Sequence, residues 1–192
     1  MRLLPCNIYT KDNILSCCKG IALLLGLTLF VFAGCMKKEA APKVLQRQGW
    51  VSDYADALNP EEEARLSQML EAYEKETCHQ IYLLVVPSLG GEHIADFSQR
   101  TASVWDIGQP GFGNGFLVTI ALQEGSVRIE AASAFESFIQ DGAADKILNE
   151  EMIPLFRADR FVEGIERGLN EIMIAGRLKV IPNDHKPAIC RQ

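Results

Sequence analysis

Apolar positions along the chain change their period several times, and each change marks an element. Residues 21–34 read IALLLGLTLFVFAG, an uncharged run with no periodicity. A helix of that length spans roughly 21 Å, short of the ~30 Å hydrocarbon core of a bilayer. The run therefore reads as the apolar region of an export signal. Leu66, Met69, Leu70 and Tyr73 recur at helical spacing and predict a helix from Pro60 to about Thr77. Asn59-Pro60-Glu61-Glu62 supplies its start: an N-cap, a proline in the first turn and a capping-box glutamate. Ile81 to Val86 is a short β-branched run stopped by Pro87, the pattern of a strand buried on both faces. Ile94, Phe97, Val104 and Trp105 mark a second helix. Phe116 to Leu122 predicts another buried strand, and Val127 to Ala131 alternates like a half-exposed one. Two helices, roughly 141–156 and 160–175, close the pattern; Ile165, Leu169, Ile172 and Met173 line one face of the second.

The order is helix, strand, helix, strand, strand, helix, helix. The first two strands enclose a helix, so they should run parallel with a right-handed crossover. The third should be the hairpin partner of the second. The expected fold class is α/β, a small mixed sheet covered by helices on both faces. The expected divisions are a leader at 1–34, a charged Ala-rich tether at 35–48, one domain at 49–176 and a polar tail at 177–192 with Pro182 and Pro187.

Composition changes this picture little, except at the start. The 192 residues are 48% hydrophobic and 23% charged, which excludes a disordered or collagen-like chain. A formal charge of −6 argues against nucleic acid as a partner. Phe32-Ala33-Gly34-Cys35 resembles the lipobox of bacterial lipoproteins, in which the cysteine is acylated and becomes the new N-terminus. That implies a lipid anchor on Cys35 and a periplasm-facing place in the cell envelope. Met36, rather than Asp, follows the cysteine, which resembles the enterobacterial pattern for the outer membrane. The competing reading of the run is a short membrane helix that is never cleaved. Cys6, Cys17 and Cys18 leave with the leader. Cys78 and Cys190 then remain as a candidate disulfide in an oxidising compartment, or as two unrelated thiols.

Trp50-Val51-Ser52-Asp53-Tyr54-Ala55-Asp56-Ala57-Leu58-Asn59-Pro60-Glu61-Glu62-Glu63 resembles the opening of the TPM domain family. Val85-Val86-Pro87-Ser88-Leu89-Gly90-Gly91-Glu92, Trp105-Asp106-Ile107-Gly108, Asn114-Gly115-Phe116-Leu117-Val118, Val127-Arg128-Ile129-Glu130 and Ile153-Pro154-Leu155-Phe156-Arg157 are similar to later blocks of that family, in the same order. The resemblance implies an αβα sandwich exported from the cytoplasm. The family includes thylakoid-lumen proteins of photosystem II repair and an accessory subunit of an animal acetylcholine receptor. Phosphatase activity has been attributed to some members and divalent-metal binding to others. Two departures stand out. Gly113 occupies a position where the family often has an acid, and Ala132-Ser133-Ala134-Phe135-Glu136 replaces a Gly-rich stretch, keeping only the glutamate.

A hard cation such as Ca²⁺ or Mg²⁺ needs several converging oxygens. The candidate ligands are Asp53, Asp56, Asn114, Glu136 and Asp141. Hairpin topology should place Asn114 and Glu136 at one end of the sheet, with Asp141 nearby, whereas Asp53 is expected near the opposite end. The alternative assigns these residues to caps, turns and solvated faces. A site here would support a metal-assisted phosphomonoesterase. Without one, the chain reads as a protein-binding or accessory module for an envelope partner. His79, His93 and His185 lack metal-ligand spacing and are expected at the surface. Ser88 lacks a nucleophile elbow. Gly111-Phe112-Gly113-Asn114-Gly115 precedes a strand instead of opening a helix, so it is read as a turn and not a phosphate loop. Trp50 and Trp105 are expected to be packing residues. Phe112 is read either as core or as a partner contact.

Overall fold

A computed structural model describes residues 45–178. The expected leader, Cys35, most of the tether, Cys190 and nearly all of the tail lie outside the described residues. Four strands form a mixed sheet: β1 (Val51–Asp53), β2 (Gln80–Val86), β3 (Gly115–Ala121) and β4 (Ser126–Ala131), in the spatial order β1-β2-β3-β4. β1 and β3 run parallel to β2, and β4 is antiparallel to β3. The helices are α1 (Pro60–Thr77), α2 (Ile94–Trp105), α3 (Glu136–Gln140), α4 (Ala143–Ile147), α5 (Ile153–Arg157) and α6 (Phe161–Arg177). A 3₁₀ turn (Ser133–Phe135) precedes α3, and a π-helical turn (Leu148–Met152) joins α4 to α5.

α1 starts where its residues demand. Asn59 Oδ1 accepts from the amides of Glu61 and Glu62, each at 3.0 Å, and the Glu62 carboxylate accepts from the Asn59 amide at 2.9 Å. These bonds satisfy backbone donors that a helix start leaves open. α1 ends at Cys78, whose left-handed backbone (φ 67°) lets its amide donate to the Glu74 carbonyl at 2.7 Å. Leu66, Leu70 and Tyr73 are buried on its inner face.

Strand alternation divides the core. Ile81, Leu83, Val85, Phe116, Val118 and Ile120 pack under α1 and α6, whereas Tyr82, Leu84, Val86, Leu117 and Ala121 pack under α2. Helices therefore cover both faces, as expected for an αβα sandwich. The connections β1–α1–β2 and β2–α2–β3 step in the same direction across the sheet but use opposite faces. They must have opposite hands, so one departs from the right-handed preference.

Three local expectations are corrected. β1 is a strand that three residues could not announce by period. The helix expected over 141–156 begins earlier, at Glu136, and breaks at Gly142 (φ 75°) before resuming at Ala143. Phe135 and Phe138 pull that start inward by packing on Phe116, with ring centres 4.4 and 5.3 Å away. Finally, residues 45–48, expected at the end of a tether, are seated on the domain. Trp105 Nε1 donates to the Leu45 carbonyl at 2.7 Å, the Tyr54 hydroxyl donates to the Gln46 carbonyl at 2.5 Å, and the Arg47 guanidinium lies 4.7 Å from the Tyr82 ring centre.

Candidate functional site

The five candidate ligands are placed by elements at both ends of the sheet. Asp53 closes β1. Its carboxylate accepts from the amides of Ala55 at 2.9 Å and Leu58 at 2.7 Å, so it fixes the loop into α1. Asp56 sits in that loop, exposed, with a left-handed backbone (φ 50°). Asp53 is level with Val85, and Val85 with Ile120. Asn114 immediately precedes the other end of β3, roughly 20 Å away at about 3.3 Å per residue.

Asn114 is fully buried. Its Oδ1 accepts from the Gln109 amide at 2.7 Å, and its Nδ2 donates to the Cys78 carbonyl at 2.5 Å. The side chain ties the loop before β3 to the α1–β2 junction, and its acceptor faces a backbone donor rather than open space. Glu136 does lie at the same end, as topology required, because Ala132 and Ala134 donate to the carbonyls of Gly115 and Gly113. Glu136 is exposed at the start of α3, where it accepts from Gln140 at 3.1 Å. Asp141 is exposed at the end of that short helix, and its amide donates to the Ser137 carbonyl. The five residues thus do not converge on one point: Asp53 and Asp56 belong to one end of the sheet, Asn114 and Glu136 to the other. Among the described residues no group of three or more His, Cys, Asp or Glu side chains is arranged to hold a metal ion.

A polar cleft of about 380 Å³ opens at the Asn114 end, between the end of α2 and the strand β4. Asp106, Ser133, Glu130 and Gly113 line it. Glu130 is paired with Arg128. Gly113 has φ 54°, and a β-carbon there would overlap the Ser133 hydroxyl. A side chain at 113 would require the Ser133 hydroxyl to move aside, so the glycine and the serine fit one another here.

His79 differs from expectation. It is buried, with Nδ1 3.4 Å from the Tyr73 hydroxyl and its ring edge-on to Phe135 at 4.9 Å. Burial pushes the Tyr73 phenol up to about 12, against a smaller opposing effect of Thr77. His93 is exposed and caps α2, accepting from the Ala95 amide at 3.3 Å. Ser88 and the Leu89 amide both donate to the Glu124 carboxylate at 2.9 Å. Partial desolvation opposes ionisation of Glu124, but those donors prevail and hold its carboxyl below the usual range. Trp50 stacks on Tyr82 at 5.2 Å and Trp105 meets the same ring edge-on at 6.4 Å, so both tryptophans are packing residues. Phe112 is half-buried. Cys78 is buried and disulfide-bonded; its partner lies outside the described residues.

A second cleft, of about 530 Å³, lies at the opposite end of β3. It is mostly apolar, with Phe156 and Phe161 in its wall and Arg157 on its rim. No helical or strand period in the sequence marks it. Its signal was Leu155-Phe156-Arg157 followed closely by Phe161, more aromatic surface than a short helix needs for its own packing.

With this geometry in view, the comparisons settle the family. The TPM domain model matches residues 51–175, and the chain belongs to the TPM domain family. No curated protein matches. The chain is similar to the solution structure of the N-terminal domain of a P. gingivalis protein, at 26% identity and TM-score 0.62, over 79% of this chain and 96% of that one. It is also similar in fold to the BA42 protein of the psychrophilic bacterium Bizionia argentinensis, at 17% identity and TM-score 0.59, over 70% of this chain and 92% of that one. The N-terminal domain of cg2496 from Corynebacterium glutamicum shares the fold at 16% identity and TM-score 0.52, over 70% and 88% of the two chains. Among the described residues no helix is long and apolar enough to cross a membrane.

Proposed function

We propose that this TPM-domain protein is held at the cell envelope by a lipid on Cys35 and works there as a protein-binding module. The observation that carries the reading is how the candidate ligands are used. Asp53 and Asn114 direct their polar atoms into the fold, and Glu136 and Asp141 stand on an exposed short helix. The lipobox-like Phe32-Ala33-Gly34-Cys35 and the charged stretch after it support the anchor. A tethered domain gains effective concentration for a partner in the same envelope.

Crosslinking in intact envelopes tests this reading. The full protein should recover one specific protein, and a version keeping residues 1–48 fused to an unrelated domain should not. Equal recovery by both would overturn it. The phosphatase alternative has its own assay, phosphate release from a model monoester by wild type and by the Asn114→Ala, Glu136→Ala double variant. Release by the wild type alone would favour the enzyme.

A further inference from the structure

We infer that the apolar cleft beside Phe156 and Phe161 is the partner site, and that its occupant is a peptide segment pairing a large apolar side chain with a carboxylate. The inference rests on the protein-binding reading and names its surface and chemistry. The cleft is built from separate parts of the chain. Ile120 lies next to the last residue of β3, Val127 is the second residue of β4, Ile153 and Phe156 come from α5, and Phe161 opens α6. The two phenylalanine rings sit 5.2 Å apart. A β-carbon at position 164 would fall 2.6 Å from Phe156 Cε1, so Gly164 is what lets that ring seat. The cleft lies beyond the carboxyl end of β3, the end at which open α/β sheets take ligands. Its volume accepts a few apolar side chains and is in the range of ligand clefts.

Charge decides the occupant's chemistry. The described residues include ten arginines and lysines. Eight form ion pairs with carboxylates: Arg65, Lys75, Arg100, Arg128, Lys146, Arg160, Arg167 and Arg177. Arg47 lies over Tyr82. Arg157, exposed on the cleft's rim, is the one described cation with neither kind of partner. In a chain of net charge −6, an unpaired guanidinium beside half-buried aromatic surface is complementary to a carboxylate carried on an apolar segment. Leu122, 40% exposed at the lip, extends the apolar contact.

The test uses the full chain in nanodiscs of zwitterionic lipid, with a dye-labelled acetyl-Phe-Glu-Leu-Phe-Glu peptide and its glutamine counterpart as probes. Anisotropy should show the acidic peptide binding about tenfold more tightly, the span of one charge-assisted contact. Arg157→Gln should erase that difference, and Phe161→Ala should weaken both peptides. Asp106→Ala, at the far cleft, should change neither. Equal binding of the two peptides, or a preference that survives Arg157→Gln, would overturn the inference. So would binding of anionic phosphatidylglycerol vesicles in place of the peptide. Circular dichroism melting of each variant separates lost binding from lost folding. A photocrosslinking residue at Leu122, compared with one at exposed Val104 on α2, separates the two levels of the argument. Capture at Leu122 of one protein whose crosslinked segment pairs a large apolar side chain with a carboxylate supports both. Capture at Val104 alone sinks this site but leaves a protein-binding module. Capture at neither removes the module itself.

Discussion

The side-chain amide of Asn114 donates to the carbonyl of Cys78, 36 residues earlier in the chain, at 2.5 Å. Together with its bond from the Gln109 amide, this makes Asn114 a buried clasp between the loop before β3 and the end of α1. Asn114→Asp distinguishes the clasp from a ligand. A carboxylate would strengthen a cation site, but here it sets a buried negative oxygen against the Cys78 carbonyl. The expected outcome is a loss of about 2–3 kcal/mol of stability, measured by urea denaturation, as for a buried polar group left unmatched. A variant as stable as the wild type, or one stabilised by added Ca²⁺, would contradict the clasp.

Metal titration of the wild type extends that test. Ca²⁺ and Mg²⁺ at millimolar concentration should leave the melting temperature of the wild type where it was, since a native-state ligand must raise it. A dose-dependent rise would restore a cation site in this fold.

Gly176 is the close-approach point of α6 on α1. A β-carbon there would overlap the Tyr73 hydroxyl, which is walled in beside His79. Gly176→Ala should cost about 1–3 kcal/mol, the usual range for overpacking. Ile174→Ala, two residues away and 52% exposed, should stay within about 0.5 kcal/mol. Chemical denaturation of both variants checks the contrast.

Two titrations follow from the same packing. The Tyr73 phenol is raised by burial from 10.0 to about 12. Its neutral form therefore contributes stability that is whole below about 10 and lost as pH rises through about 12, because the unfolded phenol ionises first. Glu124 is shifted the other way, against the cost of its partial desolvation, by the donors of Leu89 and Ser88. Its contribution is present above the ordinary carboxylate range and fades as pH falls through its lowered value. Glu124→Gln should flatten the acid limb of the melting profile, and Tyr73→Phe the alkaline limb. Profiles that keep their shape would remove these assignments.

The disulfide at Cys78 makes a further prediction. α6 ends beside α1, where Arg177 Nη2 and Glu76 Oε2 meet at 2.9 Å. The chain leaves Leu178 with twelve residues to go before Cys190, a reach of roughly 40 Å when extended. Peptide mapping without reductant should recover Cys78 linked to Cys190. A Cys78 peptide linked elsewhere, or free in exported material, would contradict the pairing.

Much of the fold was legible because its signals are local. Asn59-Pro60-Glu61-Glu62 carries its own cap, and the apolar run Ile81 to Val86 stops at a proline. β1 was not legible, since three residues show no period and its only support is pairing with Leu83 to Val85. The early start at Glu136 depends on Phe135 and Phe138 finding Phe116, a contact between distant parts of the chain. At the site, hairpin topology correctly placed Asn114 with Glu136 and apart from Asp53. It could not reveal that Asn114 was already engaged by Cys78 and Gln109. Nor could it single out Arg157, because a cation without a partner is recognised only when the partners of all the others are known.

Where the chain resides is answered directly by mass spectrometry of the protein from native membranes. A mature N-terminus at Cys35 bearing a thioether-linked diacylglycerol is the predicted result. An intact leader with an unmodified Cys35 would contradict it.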